Sequence, residues 1–362
     1  MNDAPGIPTG IPASIPRPLV TGPSAWIGPD LAQRPEEWTY TLSGAEIAEI
    51  EAATAMVHRL GMDIADIRRS DFPLPTLGPV LDQLRHEVLN GRGFVLMRGL
   101  PVQDRPIADS AASYFGIGAY FGSARSQNAK GHVLGHVRDL GLSSKDPNVR
   151  IYQTTERQNF HTDSCDIVSL LCLKTARSGG LSSLTSSMSV YNAMAQSNPE
   201  LVWRLFRPLP TDRRGEVPIG KLPWFHTPIY NDYAGYLSAI YAPHYVRSSQ
   251  RFPEAPRLTE QDYAALDCFD RLAEDPALRL DMSFQPGDMQ FVHNHTILHD
   301  RTAFEDWPEP ERKRHLLRLW LAAPGARPLP PVYAERYGSV EIGDRGGIIC
   351  KDTRLHAPLE PV

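Results

Sequence analysis

The 362-residue chain has only four cysteines, Cys165, Cys172, Cys268 and Cys350, and none stands in a CxxC pair. So few exclude a disulfide framework and fit a reducing compartment, so a cytoplasmic protein is expected. No run approaches the roughly 18 to 20 apolar residues of a membrane span, and no basic stretch leads into an apolar one at the start. Charge of one sign is scarce too: 37 Lys and Arg against 42 Asp and Glu leave a formal −5. That balance offers no electrostatic footprint for nucleic acid or an anionic membrane, so any anion site has to be local. Internal repeats are absent. With 41% hydrophobic and 22% charged residues the composition is that of an ordinary globular protein, which excludes disorder, collagen and coiled coil as readings of the whole.

Proline is abundant, with 33 residues, and its placement is informative. Pro5, Pro8, Pro12, Pro16, Pro18, Pro23 and Pro29 crowd the start, where they block helix and remove strand donors. Residues 1–40 are therefore expected to form an extended arm, a segment suited to bridging protomers of a homo-oligomer. Pro324, Pro328, Pro330 and Pro331 end the last apolar segment, leaving 41–335 as one domain and 336–362 as a polar tail.

Within the domain, Ser43 and Glu46 form a capping box ahead of Ile47, Ile50, Ala53 and Val57, which predicts a helix over 44–59. Val80, Leu81, Leu84 and Val88 predict a second, stopped by Gly91, and Gly93–Leu100 then reads as a buried strand. Thr259 opens a third helix with Tyr263, Leu266, Phe269 and Leu272 on one stripe. Residues 167–173, 289–292 and 315–322 are strand candidates, the first apolar on both faces.

Chemistry-bearing residues gather around these strands. In His161-Thr162-Asp163 an imidazole and a carboxylate stand two apart, and in extended chain such side chains share a face. The run Gln285–Arg301 adds His293, His295 and His299. Two histidines and one carboxylate are the facial ligand set of non-haem iron oxygenases, and zinc takes the same donors. In Arg314-His315-Leu316-Leu317-Arg318, the two arginines share one strand face and Leu317, Leu319 and Leu321 the other. Guanidinium groups on so apolar a strand have to meet anions, since an unpaired buried charge is costly.

In order, His161-Thr162-Asp163, Gly179-Gly180-Leu181-Ser182, Pro286-Gly287-Asp288, His299-Asp300-Arg301 and Arg314-x-x-x-Arg318 resemble the taurine dioxygenase and clavaminate synthase superfamily, over about residues 90–323. The resemblance implies an α+β protein with a mainly β core, a double-stranded β-helix or jelly roll with flanking helices and a large insertion. It implies His161, Asp163 and His299 as ligands of Fe(II), with 2-oxoglutarate and O2 as cosubstrates. Arg314 matches the clamp on the distal carboxylate of 2-oxoglutarate, and Ser182 stands where the family usually has a threonine hydroxyl. Asp300 departs from a common glycine. Arg318 matches a position that often faces substrate, and Asn294, Tyr152 and Gln153 are further candidates for the substrate pocket. Residues 122–135 and 223–226 are candidate lids, while His293, His295 and Cys165 read as packing or support. The implied reaction hydroxylates a C–H bond of a small anionic or amino-acid-like molecule and releases succinate and CO2. Two other readings compete: a zinc hydrolase on the same triad, which leaves Arg314 and Ser182 without a task, and a non-catalytic jelly-roll binding protein.

Overall fold

Strand Phe94–Arg98 sends Phe94 and Leu96 to one side of its sheet and Val95 and Met97 to the other, and all four are buried. Both faces of this sheet are therefore covered, and the covering elements define the architecture. The computed structural model describes residues 16–143 and 149–361. Its larger sheet has seven strands, in the order Thr39–Thr41, Phe94–Arg98, Met289–His293, Ile167–Lys174 and His315–Ala322, with Ser123–Ala124 and Gly135–Val137 both pairing on the last. All its ladders are antiparallel except the first. A smaller antiparallel sheet runs Leu280–Met282, Ser182–Ser186, Ile297–Arg301, Gln158–His161.

On the outer face of the larger sheet, Val95, Met97, Leu171, Phe291, Leu317 and Leu319 pack in one cluster with helices Gly44–Arg59, Leu77–Asn90 and Ile107–Phe121. On the inner face, Phe94, Val168, Val292, Leu316 and Trp320 share a cluster with Leu184, Met282 and Ile297 of the smaller sheet. The helix expected over 44–59 spans those residues, with Ser43 and Glu46 in a reciprocal capping box. The helix opened by Thr259 spans Glu260–Ala273. Tyr263 departs from its expected apolar stripe. It is 37% exposed, with Arg247 against its ring, while the neighbouring Asp262 is buried and paired with Arg204.

The insertion between Ser187 and Ala273 builds its own apolar cluster on the far side of the smaller sheet, around Phe160 and Leu298. The described part of the arm runs over this insertion, where the Arg17 backbone N–H donates to the Tyr191 hydroxyl and Val20 N–H to Asn192 Oδ1. Residues 1–15 of the arm lie outside those described. At the other end, residues after 336 pack back onto the domain: Arg345 is 1% exposed and pairs with the fully buried Asp166 at 2.7 Å. No helix among the described residues is long and apolar enough to cross a membrane.

Candidate active site

Pairing between Gln158–His161 and Ile297–Arg301 sets His161 directly opposite His299. Asp163, two residues beyond the strand end, returns to the same point: its Oδ1 is 3.8 Å from His161 Nε2 and its Oδ2 is 3.6 Å from His299 Nε2. One donor atom from each of the three lies within 4.8 Å of the others, and no other such group was found among the described residues. Burial, reinforced by His299, pushes His161 down to about 3, so its imidazole is neutral at physiological pH. Its Nδ1 lies 2.8 Å from the Asn159 carbonyl, which places the proton there and leaves the Nε2 lone pair, to which the Gln158 amide donates at 2.9 Å, as the one that would ligate a metal. Burial alone would raise Asp163, but Arg318 and then His299 hold its carboxyl well below the usual range. A neutral His161 imidazole, the His299 imidazole and an ionised carboxylate converging on one point fit a divalent transition metal.

The loop carrying Asp163 is held from behind. Asn294, expected to line the substrate pocket, is fully buried, and its Oδ1 accepts the Asp163 backbone N–H at 2.9 Å while its Nδ2 donates to Cys165 Sγ. Its amide is spent on positioning a candidate ligand, and it lines neither of the two cavities beside the triad. Trp320 Nε1 donates to Asp163 Oδ2 at 2.9 Å, and Arg318 Nη1 stands 3.7 Å from the same oxygen. His295 pairs with Asp166, itself held by Arg345, and Cys165 is fully buried with a raised thiol pKa, so none of these is placed to react.

Beside the triad lies a cavity of about 40 Å3, lined by His161, His299, Ser182, Arg301, Arg314 and Arg318 among others. Arg314 and Ser182, expected as cosubstrate contacts, thus open on the space that two of the candidate ligands border. Arg314 precedes strand His315–Ala322 at a register shift between His315 and Leu316. Its Nη1 is buried without a hydrogen-bond partner, and burial pushes it down to about 10. Arg301 was not singled out from the sequence, yet it too is buried, with Nε and Nη1 unpartnered and only carbonyl acceptors, of Glu156 and Ile151, on Nη2. Burial and then the neighbouring Arg314 push it down to about 9. Both guanidinium groups lie against the Phe304 ring, at 4.8 and 5.2 Å, and neither has a carboxylate within salt-bridge distance among the described residues. The signal for Arg301 was its spacing: two residues after His299 on one strand, it shares that residue's face.

A second cavity, of about 590 Å3, opens over His161 and Asp163 and reaches the insertion through Phe225, Thr227, Tyr241 and Tyr245. Arg318 borders both cavities, 4.8 Å below the Tyr152 ring, and its Nε donates to Gln127 Oε1. Tyr152 lines both as expected, whereas Gln153 lines neither, because its side chain caps the Arg150 N–H. Of the two expected lids, 122–135 contributes only Gln127, whose amide is tied to the Val133 and Arg318 carbonyls, so that stretch is wall rather than cover. The 223–226 stretch contributes Phe225.

Residues 59–320 match the family model described as taurine catabolism dioxygenase TauD, TfdA family. The chain is 33% identical over 316 residues to FR-33289 synthase of Streptomyces rubellomurinus, covering 86% of this chain and 92% of that protein. It is 30% identical to the taurine hydroxylase-like protein SAT17 of Stachybotrys chartarum, covering 82% and 77%. Among solved structures, an asparagine oxygenase in complex with Fe(II), 3-hydroxyasparagine and succinate superposes with a TM-score of 0.62 at 16% identity, over 78% of this chain and 93% of that one, a likeness of fold.

Proposed function

The chain belongs to the TauD/TfdA family of taurine catabolism dioxygenases, and from that premise we propose which of its residues carry the iron- and 2-oxoglutarate-dependent oxidation. His161, Asp163 and His299 hold Fe(II), and Arg314, Arg301 and the Ser182 hydroxyl receive the distal carboxylate of 2-oxoglutarate. The two sheets are read as the halves of a jelly roll, forming with their helices one oxygenase domain over 41–335, to whose larger sheet the 1–40 arm adds Thr39 and Tyr40 of the edge strand, with the 336–362 segment packed on it.

The observation that carries this assignment is the pair of buried guanidinium groups, Arg314 and Arg301, facing a cavity beside the triad with no carboxylate within salt-bridge distance among the described residues. An isolated buried charge costs several kcal/mol, so a site built this way is completed by an anion. A planar fork receives a carboxylate through two parallel N–H···O bonds, and the Ser182 hydroxyl adds a neutral donor by turning from Gln290 Oε1, to which it donates at 3.3 Å. A zinc hydrolase would leave both arginines idle. Bound iron and 2-oxoglutarate supply the oxidising power, and the protein's task is to bind, orient and exclude water. Tyr152 and Trp320 flank Arg318 at 4.8 and 5.2 Å, drying the boundary between the two cavities. The substrate is a small anionic or amino-acid-like molecule in the larger cavity, a reading supported by Arg318 on its floor; the superposing asparagine oxygenase holds a hydroxylated amino acid.

Anaerobic visible absorption tests the assignment. Fe(II) followed by 2-oxoglutarate gives wild type a weak metal-to-ligand charge-transfer band, and Arg314→Ala needs at least about tenfold more 2-oxoglutarate to reach it, given the strength of hydrogen bonds to charged groups. No band in wild type, with zinc tightly retained, would transfer the assignment to the hydrolase.

A further inference from the structure

The family match ends at residue 320, yet the wall of the larger cavity does not: Arg336, on the short helix Ala334–Tyr337, also lines it. Its Nε donates to the Ser164 hydroxyl at 2.5 Å, and no carboxylate lies within salt-bridge distance of it among the described residues. Its neighbour Glu335 is engaged by Arg213 and Lys221. Of the other arginines lining the cavity, Arg150 is matched by Glu216, Arg157 by Asp300 and Arg247 by Asp267 and Asp270, while Arg214 lies 5.7 Å from the Tyr245 ring. Arg318 approaches only Asp163, a carboxylate assigned to the metal triad. Arg318 and Arg336 thus face one cavity, anchored on consecutive residues, Asp163 and Ser164, with no carboxylate of their own within salt-bridge distance among the described residues.

The placement of Arg336 is enforced. Gly346 and Gly347 carry the chain past Ser164 with φ of +84° each, and a Cβ on Gly346 would come within 2.7 Å of the Ser164 carbonyl oxygen. The Gly347 N–H donates to that oxygen at 2.7 Å, and Arg345 is locked on Asp166. The segment bearing Arg336 is therefore fastened to the loop that carries the candidate ligand Asp163.

We propose that Arg318 and Arg336 form a two-arginine subsite for a doubly charged tetrahedral oxyanion, so that the substrate is a small phosphate monoester. This rests on the cofactor assignment above and narrows its substrate class. A carboxylate or a sulfate ester brings one negative charge and satisfies one fork, whereas a phosphate dianion offers two charges and three acceptor oxygens.

The test uses anaerobic protein loaded with Fe(II) and 2-oxoglutarate, titrated calorimetrically with methyl phosphate, methyl sulfate and acetate. Methyl phosphate binds about tenfold tighter than methyl sulfate or acetate, as expected where a second charge-assisted contact forms. Its affinity rises between pH 5 and 7.5 as the second proton leaves, near pH 6, while that for methyl sulfate stays flat. Arg336→Gln loses about tenfold for methyl phosphate and Arg336→Lys recovers part of it, both keeping the charge-transfer band that reports a folded, loaded site. Equal affinities for the three anions, or an Arg336→Gln variant that binds methyl phosphate like wild type, would overturn the subsite and leave the cofactor assignment standing. Absence of the band in wild type would instead overturn the cofactor assignment.

Discussion

At the scale of single residues, the site is a set of charges whose partners have been left out. Arg314 and Arg301 share one cavity and one aromatic ring, and burial pushes their pKa values down to about 10 and about 9, Arg301 being lowered further by Arg314 beside it. Such a pair is stable only if an anion completes it, so Arg301→Gln should raise the 2-oxoglutarate dissociation constant about tenfold, a charge-assisted bond's worth. The readout is the charge-transfer titration, with Fe(II) affinity in the absence of 2-oxoglutarate unchanged; an unaltered titration would confine the anion to Arg314. Asn294 poses the opposite case, since its whole amide is consumed in holding the Asp163 backbone and Cys165. Asn294→Ala should lower metal affinity by about 10- to 100-fold, as the loss of a group that orients a ligand does, measured by metal titration against a chelator. Affinity within twofold of wild type would show the loop to be held by Trp320 alone.

At the scale of elements, the ligands depend on register. Strand Met289–His293 lies between Phe94–Arg98 and Ile167–Lys174, and a one-residue slip would turn Met289 and Phe291 from the outer cluster to the face packed on the smaller sheet. The turn before it sets that register. Gly287 has φ +89°, and a Cβ there would stand 2.1 Å from the Leu100 carbonyl oxygen. Next to it, Asp288 takes both Arg98 nitrogens at 2.8 and 2.9 Å. Gly287→Ala should therefore cost about 1–3 kcal/mol, read as a lowered midpoint in denaturant with an unchanged slope. An unchanged midpoint would mean that the turn adapts and register is held by the strand alone. The Pro286-Gly287-Asp288 signal was legible in the sequence because only glycine tolerates that φ. The bulges at His299/Arg301 and His315/Leu316 were not, because a bulge is a property of two paired strands.

At the scale of the molecule, buried histidines make stability depend on pH. His132 is pushed down to about 4 and His315 to about 3, in both cases first by burial and then by a neighbouring histidine. An unfolded histidine takes its proton near pH 6.5, so below that pH the unfolded chain binds more protons than the folded one. Stability from these groups is present in full above about pH 7 and falls as pH drops from about 6.5 towards 4, by up to about 1.4 kcal/mol per pH unit for each. His315→Gln should flatten the acid limb of a plot of melting temperature against pH; an unchanged limb would place the acid sensitivity in the carboxylates, Asp163 among them. The C-terminal segment belongs to this scale as well. It read as a polar tail because the Pro324–Pro331 cluster ends the last apolar segment, yet Arg336 lines the larger cavity and Arg345 is buried on Asp166.

The sequence by itself determined the local and the periodic. The capped helices, the strands apolar on two faces, the shared face of His161 and Asp163, and the spacing of Arg314 and Arg318 follow from 3.6- and 2-residue periods and from turn chemistry, while the choice of His299 among three histidines came from the family resemblance. Tertiary structure alone decided that His161 stands opposite His299 across 138 residues of chain, that Asn294 supports a ligand instead of lining the pocket, that Arg301 joins Arg314, and that Arg336 closes over Ser164. The reason is physical: a side chain's direction and partner at long range are set by which strands pair and at what register. One chain's pattern of polarity leaves that pairing open until the apolar faces are buried against each other.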